Sequence, residues 1–538
     1  MNGSRSVMNR RVFLKTGLFA VNSAFAGFLM SCDSGFSIPC LGPAPPPKPV
    51  PGMTYIRASE IGCALDCNLR TGRNKHTGGA ATDDGPRINA AMAAAGPNNP
   101  ITLIIDGSAL ISGLFLPALG NWSIAGLGCG TGFFIQTGAN NDGIHNGPPN
   151  AAVPFDPGPP APIRGADVSL SNFTVNGNQG NGHDGDSTSG LRLGSSQAFY
   201  CSVNLMNLDN ISVEKVVVVR SPAYHFRFSN VGNVSVSGCI MKSRGVGTDG
   251  LHFDGPANDI RISNCSFSTE DDSIALNCPE GHSGNISRVS VDNCTFDSWS
   301  LMRLYTTNWN TAKFNIDSVS VSNCTGRLSE AAFLIGISGQ SNPNSVDRLS
   351  IRDCQLTAPA ILGLAENFGR ITLERVTLTP SQSRASWVAT QGNRICAFAR
   401  PSPLYGNVSF AGGSLSFENC SIGQHQNSVA AVVLQNDSTI DNLIFNGFDL
   451  QVGSMPALLE MPAGSIGQLL LNSMNSSNIM VPLPASEFSN VASVSGTGVL
   501  ATGWEFPDAV MADEVPYISA STGLPSIKIN GKAQPYPG

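Results

Sequence analysis

The chain has 538 residues, a formal net charge of −7, only 13% charged residues and 14 cysteines. A mildly acidic chain without a basic block offers no field for a polyanion, so no nucleic-acid partner is expected. Its length exceeds what one ordinary globular core supports, which leaves two domains or a repeat architecture.

The N-terminus reads as an export signal. Asn9-Arg10-Arg11-Val12-Phe13-Leu14-Lys15 resembles a twin-arginine motif, and the uncharged stretch from Thr16 to Ser31 is too short to span a membrane and the right size for a signal core. Residues 1–31 are therefore expected as a signal peptide for the twin-arginine route. Leu29-Met30-Ser31-Cys32 resembles a lipoprotein box, with Cys32 as the acylated residue. That reading anchors the protein to a membrane by lipid, in the periplasm or cell envelope. Ala24-Phe25-Ala26 is a competing cleavage site that would release a soluble protein. Residues 32–56, with Pro43, Pro45, Pro46, Pro47, Pro49 and Pro51, read as a stiff extended tether.

Asp83 to Gly96 then carries an acid at the N-cap, Pro86 in the first turn, a run of alanines and a closing glycine, which predicts a short capping helix. Ile101–Ile105 starts the first strand. Beyond it one phrase recurs: an aliphatic alternation, a small residue such as Asn, then Cys or Val. It reads Asp259-Ile260-Arg261-Ile262-Ser263-Asn264-Cys265 and Arg288-Val289-Ser290-Val291-Asp292-Asn293-Cys294, with further copies ending at Cys239, Cys324, Cys354 and Cys420. Period-two alternation marks half-buried strands, and a fixed repeat of strands without helices marks a solenoid. The fold class expected is all-β: a parallel β-helix over 57–505 with a short N-terminal capping helix, followed by a tail over 506–538. Coils stacked about 4.8 Å apart would align the repeated cysteines in one buried column as small hydrophobes. Cys63 and Cys67, close together in an irregular segment, are the pair expected to form a disulfide.

Three adjacent coils can be laid in register. Phe226, Leu251, Ile274 and Met302 form one apolar column, and Phe228, Phe253, Leu276 and Leu304 another. Arg227, His252, Ala275 and Arg303 fall between them, facing outward. Asp249 and Asp272 share the strand start, with Asp271 beside them. Like charges so close raise the pKa of one member, which leaves an acid beside ionised bases, the division that glycosidic cleavage uses.

Ser221-Pro222-Ala223-Tyr224-His225, Gly247-Thr248-Asp249-Gly250-Leu251-His252 and Glu270-Asp271-Asp272-Ser273-Ile274-Ala275 resemble, in order and spacing, the motifs of glycoside hydrolase family 28, the polygalacturonases and rhamnogalacturonases. The likeness spans about residues 205–325. It implies the right-handed, pectate-lyase-like form of the β-helix and an inverting hydrolase of a complex or acidic polysaccharide. Asp271 would be the general acid, and Asp249 and Asp272 the pair that activates water. Tyr224, Arg227, His252, Trp299 and Arg303 are the candidate substrate-binding residues. Two departures stand out. The family's Gly-His-Gly should fall near Trp299-Ser300-Leu301, and its Arg-x-Lys uronate clamp near Leu334-Ile335-Gly336. Neither the His nor the cations are present, which argues against a plain polygalacturonase.

Two other readings stay open. In a polysaccharide lyase the same aspartates would hold calcium and an Arg would abstract the proton. A non-catalytic β-helix that binds glycans is the third. The hydrolase reading needs no cofactor, a polysaccharide partner and a monomer. His183, Asp184 and Asp186 lie in a Gly- and Asn-rich insertion and are a further metal-ligand candidate, against a flexible loop at the cleft edge.

Overall fold

The computed structural model describes residues 37–139, 141–148, 163–179, 200–243, 247–306, 313–336, 345–381, 393–395, 409–423, 430–435, 437–450 and 455–537. The expected signal peptide, Cys32, His183, Asp184 and Asp186 lie outside them.

Each coil carries strand on three faces. In the coil of the first aspartate, the long strand Leu251–Ser263 covers two faces and Ser266–Ser268 the third. In the next coil, Asp272–Asn277, Ile286–Asp292 and Thr295–Ser298 take the three faces in turn. Among the described residues these stack into a 25-stranded and a 12-stranded sheet, with nearly all pairings parallel. The architecture is a right-handed parallel β-helix.

The expected register is the observed one. Phe226 pairs with Leu251, Leu251 with Ile274 and Ile274 with Met302, and the column continues to Phe333 and Leu362. Phe228 stacks on Phe253 with ring centroids 4.8 Å apart, both side chains fully buried. Each such ring contributes roughly 1.5–3 kcal/mol by leaving water.

The residue before each repeated Cys explains the phrase. Asn264, Asn293, Asn323, Asp353 and Asn419 all have φ between 51° and 54°. That left-handed conformation turns the chain between two faces, and Asn and Asp tolerate it better than branched residues. The Asn side chains also form a ladder, with Asn293 Nδ2 donating to Asn264 Oδ1 at 2.7 Å. One residue on, Cys239, Cys265, Cys294, Cys324, Cys354 and Cys420 are buried and unpaired. Thiol titration under denaturing, non-reducing conditions should therefore find these six free. Finding them in disulfides would contradict the column.

Three expectations need correction. Cys63 and Cys67 are buried free thiols, and the disulfide joins Cys40 to Cys129 instead. This pairing also changes the reading of the Pro-rich segment as a stand-off tether. Ala44 N–H donates to Leu127 O at 3.0 Å, and Pro43 bridges Gly128, so the segment lies along the coils. The capping helix is present at Gly85–Met92, with Ile88 and Met92 buried over the first coils. Asp84 does not cap it, however. Its fully buried carboxylate accepts from the N–H groups of Ala64 and Leu65 at 2.7 and 2.9 Å, tying the entry loop to the cap.

Strand pairing begins at Thr54–Arg57, against Ile101–Ile105. The tail folds into a four-stranded sheet, Glu505–Phe506, Pro516–Ser519, Pro525–Ile529 and Lys532–Pro535, and buries Tyr517 in the main core.

Candidate active site

Asp249 ends the turn leading into Leu251–Ser263, and Asp271 and Asp272 open the next coil. Gly250 N–H donates to the Asp272 carbonyl at 3.0 Å, which holds the two coils in register at the carboxylates. A Cβ on Gly250 would lie 2.5 Å from both Ser273 O and Phe267 Cδ1, so only glycine allows this approach. One oxygen from each of Asp249, Asp271 and Asp272 lies within 4.8 Å of the others. The structure thus brings the three predicted acids together.

Each acid has its own donors. Asp271 accepts from Gly247 N–H at 2.7 Å and from Asp272 N–H at 3.1 Å. Asp272 accepts from the Ser300 hydroxyl at 2.5 Å. Arg303 Nε lies 2.8 Å from Asp272 Oδ2, a close ion pair without hydrogen-bond alignment, and its NH2 lies 4.0 Å from Asp271. Asp249 Oδ2 takes His252 Nδ1 at 2.7 Å.

These surroundings separate the acids. Burial, then the charges of Asp249 and Asp272, push the Asp271 carboxyl well above the ordinary range, with Arg303 opposing. Its side chain keeps 16% exposure, which tempers the rise without reversing it. Burial raises Asp272 to about 6, with Arg303 opposing and Asp249 adding to the rise. The most strongly protonated carboxyl is therefore also the one that reaches solvent.

The predicted substrate-binding residues divide. Arg227 and His252 do point away from the core, as their register between the apolar columns requires, yet both are fully covered. Arg227 Nε donates to the buried Asp254 at 2.7 Å. Tyr224, 2% exposed, stacks on the His252 ring at 3.8 Å and 8°. The turn around Gly281 closes the other side. A Cβ there would meet Ser229 Oγ and Asp254 Cβ at 2.2 and 2.6 Å, and its φ of +64° also demands glycine. The alternation of a strand tells which face a residue takes, while this second layer decides whether it meets solvent. Direct substrate contact by Arg227, His252 or Tyr224 is therefore corrected. Arg303 keeps 14% side-chain exposure and lies over the Trp299 ring at 5.2 Å. Trp299 belongs to a small apolar cluster with Ala331, Leu334 and Ala360, separate from the main core.

Three residues escaped the sequence reading. Ser300 falls where a His was sought. Asp254 shares an outward face with His252 by period two, a signal that was there to use. Glu280 lies in a turn, where no periodicity reports position.

Calcium takes six to eight oxygen ligands. The three aspartates already accept from two backbone N–H groups, a hydroxyl and His252, with the Arg303 guanidinium against Asp272. Their oxygens have the spacing of a cation site, and a divalent ion there would share these lone pairs with the present donors and face the Arg303 charge.

Comparison with curated protein sequences gives no match. Among solved structures, the family 28 exopolygalacturonase of Yersinia enterocolitica is similar at 11% identity, covering 77% of this chain and 78% of that one, with a TM-score of 0.46. PfbA, a surface adhesin of Streptococcus pneumoniae, is similar at 12% identity over 89% of this chain and 98% of its own, TM-score 0.46. The Pseudomonas phage phi297 tailspike gp61 is similar at 10% identity over 82% and 83%, TM-score 0.48. A family model adds the finer result: residues 147–299, which hold Asp249, Asp271 and Asp272 and stop just before Ser300 and Arg303, match Glycosyl hydrolases family 28.

Proposed function

We propose that this protein is a glycoside hydrolase that cleaves an extracytoplasmic polysaccharide at the three stacked aspartates. The observation carrying this reading is the stack of three carboxyls, an oxygen of each within 4.8 Å of the others, with Asp271 raised well above the ordinary range and Asp272 to about 6. Asp271 would protonate the leaving oxygen, while Asp249 and Asp272 activate the attacking water. Arg303 and Ser300 favour the ionised form of Asp272, so a base persists beside the acid. Inversion is proposed on the family likeness alone; the nearest oxygens, within 4.8 Å of one another, are closer than the roughly 6.5–9.5 Å usual between inverting carboxyls.

The sugar on the C-terminal side of the aspartates should carry no carboxylate. The outward column there runs Ala275, Arg303, Leu334 and Gly363, and the Arg303 charge is already paired with Asp272. A uronate brought against Ala275, Leu334 or Gly363 would lose its water beside an Arg303 guanidinium already paired with Asp272, which costs several kcal/mol. On a polysaccharide panel that includes polygalacturonate and its carboxyl-reduced form, the reduced polymer should be cleaved about tenfold faster or more. Faster cleavage of polygalacturonate would reject the neutral-sugar assignment.

Export belongs to the same reading. The Cys40–Cys129 disulfide supports an oxidising compartment, and Cys32 is the proposed lipid anchor. The lyase reading is less well supported, because the Arg it would use as a base is tied to Asp272.

A further inference from the structure

Behind Asp249 lies a second layer of charge that the hydrolytic reading does not use. His252 is fully buried and both its ring nitrogens meet carboxylates. Nδ1 lies 2.7 Å from Asp249 Oδ2, and Nε2 lies 3.0 Å from both Asp254 Oδ1 and Glu280 Oε2. A neutral imidazole has one ring nitrogen with a lone pair, and that nitrogen would face carboxylate oxygens here. Against ionised carboxylates on both sides, only the doubly protonated ring satisfies both.

His225, one coil earlier and equally buried, shows the opposite arrangement. Its Nδ1 meets the Asp249 backbone carbonyl at 2.8 Å and its Nε2 meets the Ser243 hydroxyl at 2.8 Å, neutral partners that suit one tautomer. Burial accordingly lowers the His225 pKa to about 4. At His252 burial also works to lower the pKa, yet the bonds to Asp249, Asp254 and Glu280 outweigh it and raise the value well above the usual one.

We propose that His252 is a positioning residue of the site: a buried imidazolium, gripped from behind by Asp254 and Glu280, whose Nδ1–H fixes the rotamer and the charge of Asp249. The inference rests on the hydrolase reading for its catalytic consequence and on geometry alone for the ionised ring. Among the described residues, the groups that face the ring come from three coils. Asp249 and Asp254 flank it on its own coil, and Tyr224 and Arg227 come from the preceding coil. Ala275 pairs with it from the next coil, whose Asp272 lies within electrostatic reach and whose following turn supplies Glu280. Arg227 and His252 balance Asp254 and Glu280, leaving the Asp249 charge directed at the reaction. The His252, Asp254 and Glu280 atoms also have the spacing of a metal ligand set. With Arg227 bonded to Asp254, however, a further cation there would be repelled.

Nitrogen-15 labelling of the histidines in the full chain tests the ionised ring without any substrate. One of the seven histidines should keep both ring nitrogens protonated well above the ordinary value of about 6.5. Loss of the second proton from every histidine at or below the ordinary value, about 6.5, would overturn the proposal, as would stoichiometric binding of zinc added alone. His252→Gln tests the positioning role, since the amide keeps a donor to Asp249 and removes the charge. The acid limb of kcat/KM should then move up, because the His252 charge that helps hold the Asp272 pKa down is lost. An unmoved acid limb with a lowered melting temperature would assign His252 a purely structural part and overturn the proposal. If no glycan is cleaved, the hydrolase reading fails while the nitrogen-15 result still decides the state of the ring.

Discussion

Asp271→Asn is expected to lower turnover by a factor on the order of 10² or more while leaving substrate affinity nearly unchanged. The amide has the shape of the carboxyl and no proton to give. Its single oxygen can keep the bond from Gly247 N–H, at the loss of the one from Asp272 N–H, about 1 kcal/mol, so the loop should hold. The wild-type pH profile should show the same division. Asp272, raised to about 6, must lose its proton before water is activated, which sets an acid limb near that value. Asp271, raised further, must keep its proton, which sets the alkaline limb. Activity therefore rises as Asp272 ionises and falls as Asp271 does. Asp271→Asn should remove the alkaline limb from whatever activity remains. Steady-state kinetics across pH, with binding measured separately, checks both points. A variant as active as wild type would remove Asp271 from the chemistry.

Arg227→Ala should do its damage to the fold. The guanidinium is fully buried against Asp254, and removing it leaves a sealed carboxylate that shares His252 with Glu280. Breaking a buried pair from one side costs about 3–5 kcal/mol. Arg227→Met combined with Asp254→Asn should recover most of that loss, because the charge goes with its partner. Chemical denaturation of the three proteins separates this from a role in substrate contact. Substrate contact would instead raise KM at unchanged stability.

The parts of the molecule governed by period were legible in the chain. The columns through Phe226, Leu251, Ile274 and Met302 follow from the alternation and the repeat, and they fixed the relative places of Asp249 and Asp272. The Asn, Asp or Gly before each repeated Cys was visible as a habit of the phrase, and its left-handed φ supplies the reason. What escaped was contact between segments with no common period. Cys40 meets Cys129 across 89 residues, and Asp84 reaches back to Ala64 and Leu65. His252 read as a surface group because alternation gives direction and says nothing of cover. Tyr224 and the Gly281 turn supply that cover from other coils.

The central claim is that water, activated among Asp249, Asp271 and Asp272, cleaves a glycosidic bond. Its most direct test is digestion in oxygen-18 water of whichever glycan the panel identifies, followed by mass spectrometry of the products. Hydrolysis predicts one heavy oxygen per bond cleaved, at the new sugar end, and no unsaturated ring. An unsaturated product without the label, lost on chelation and restored by calcium, would contradict it.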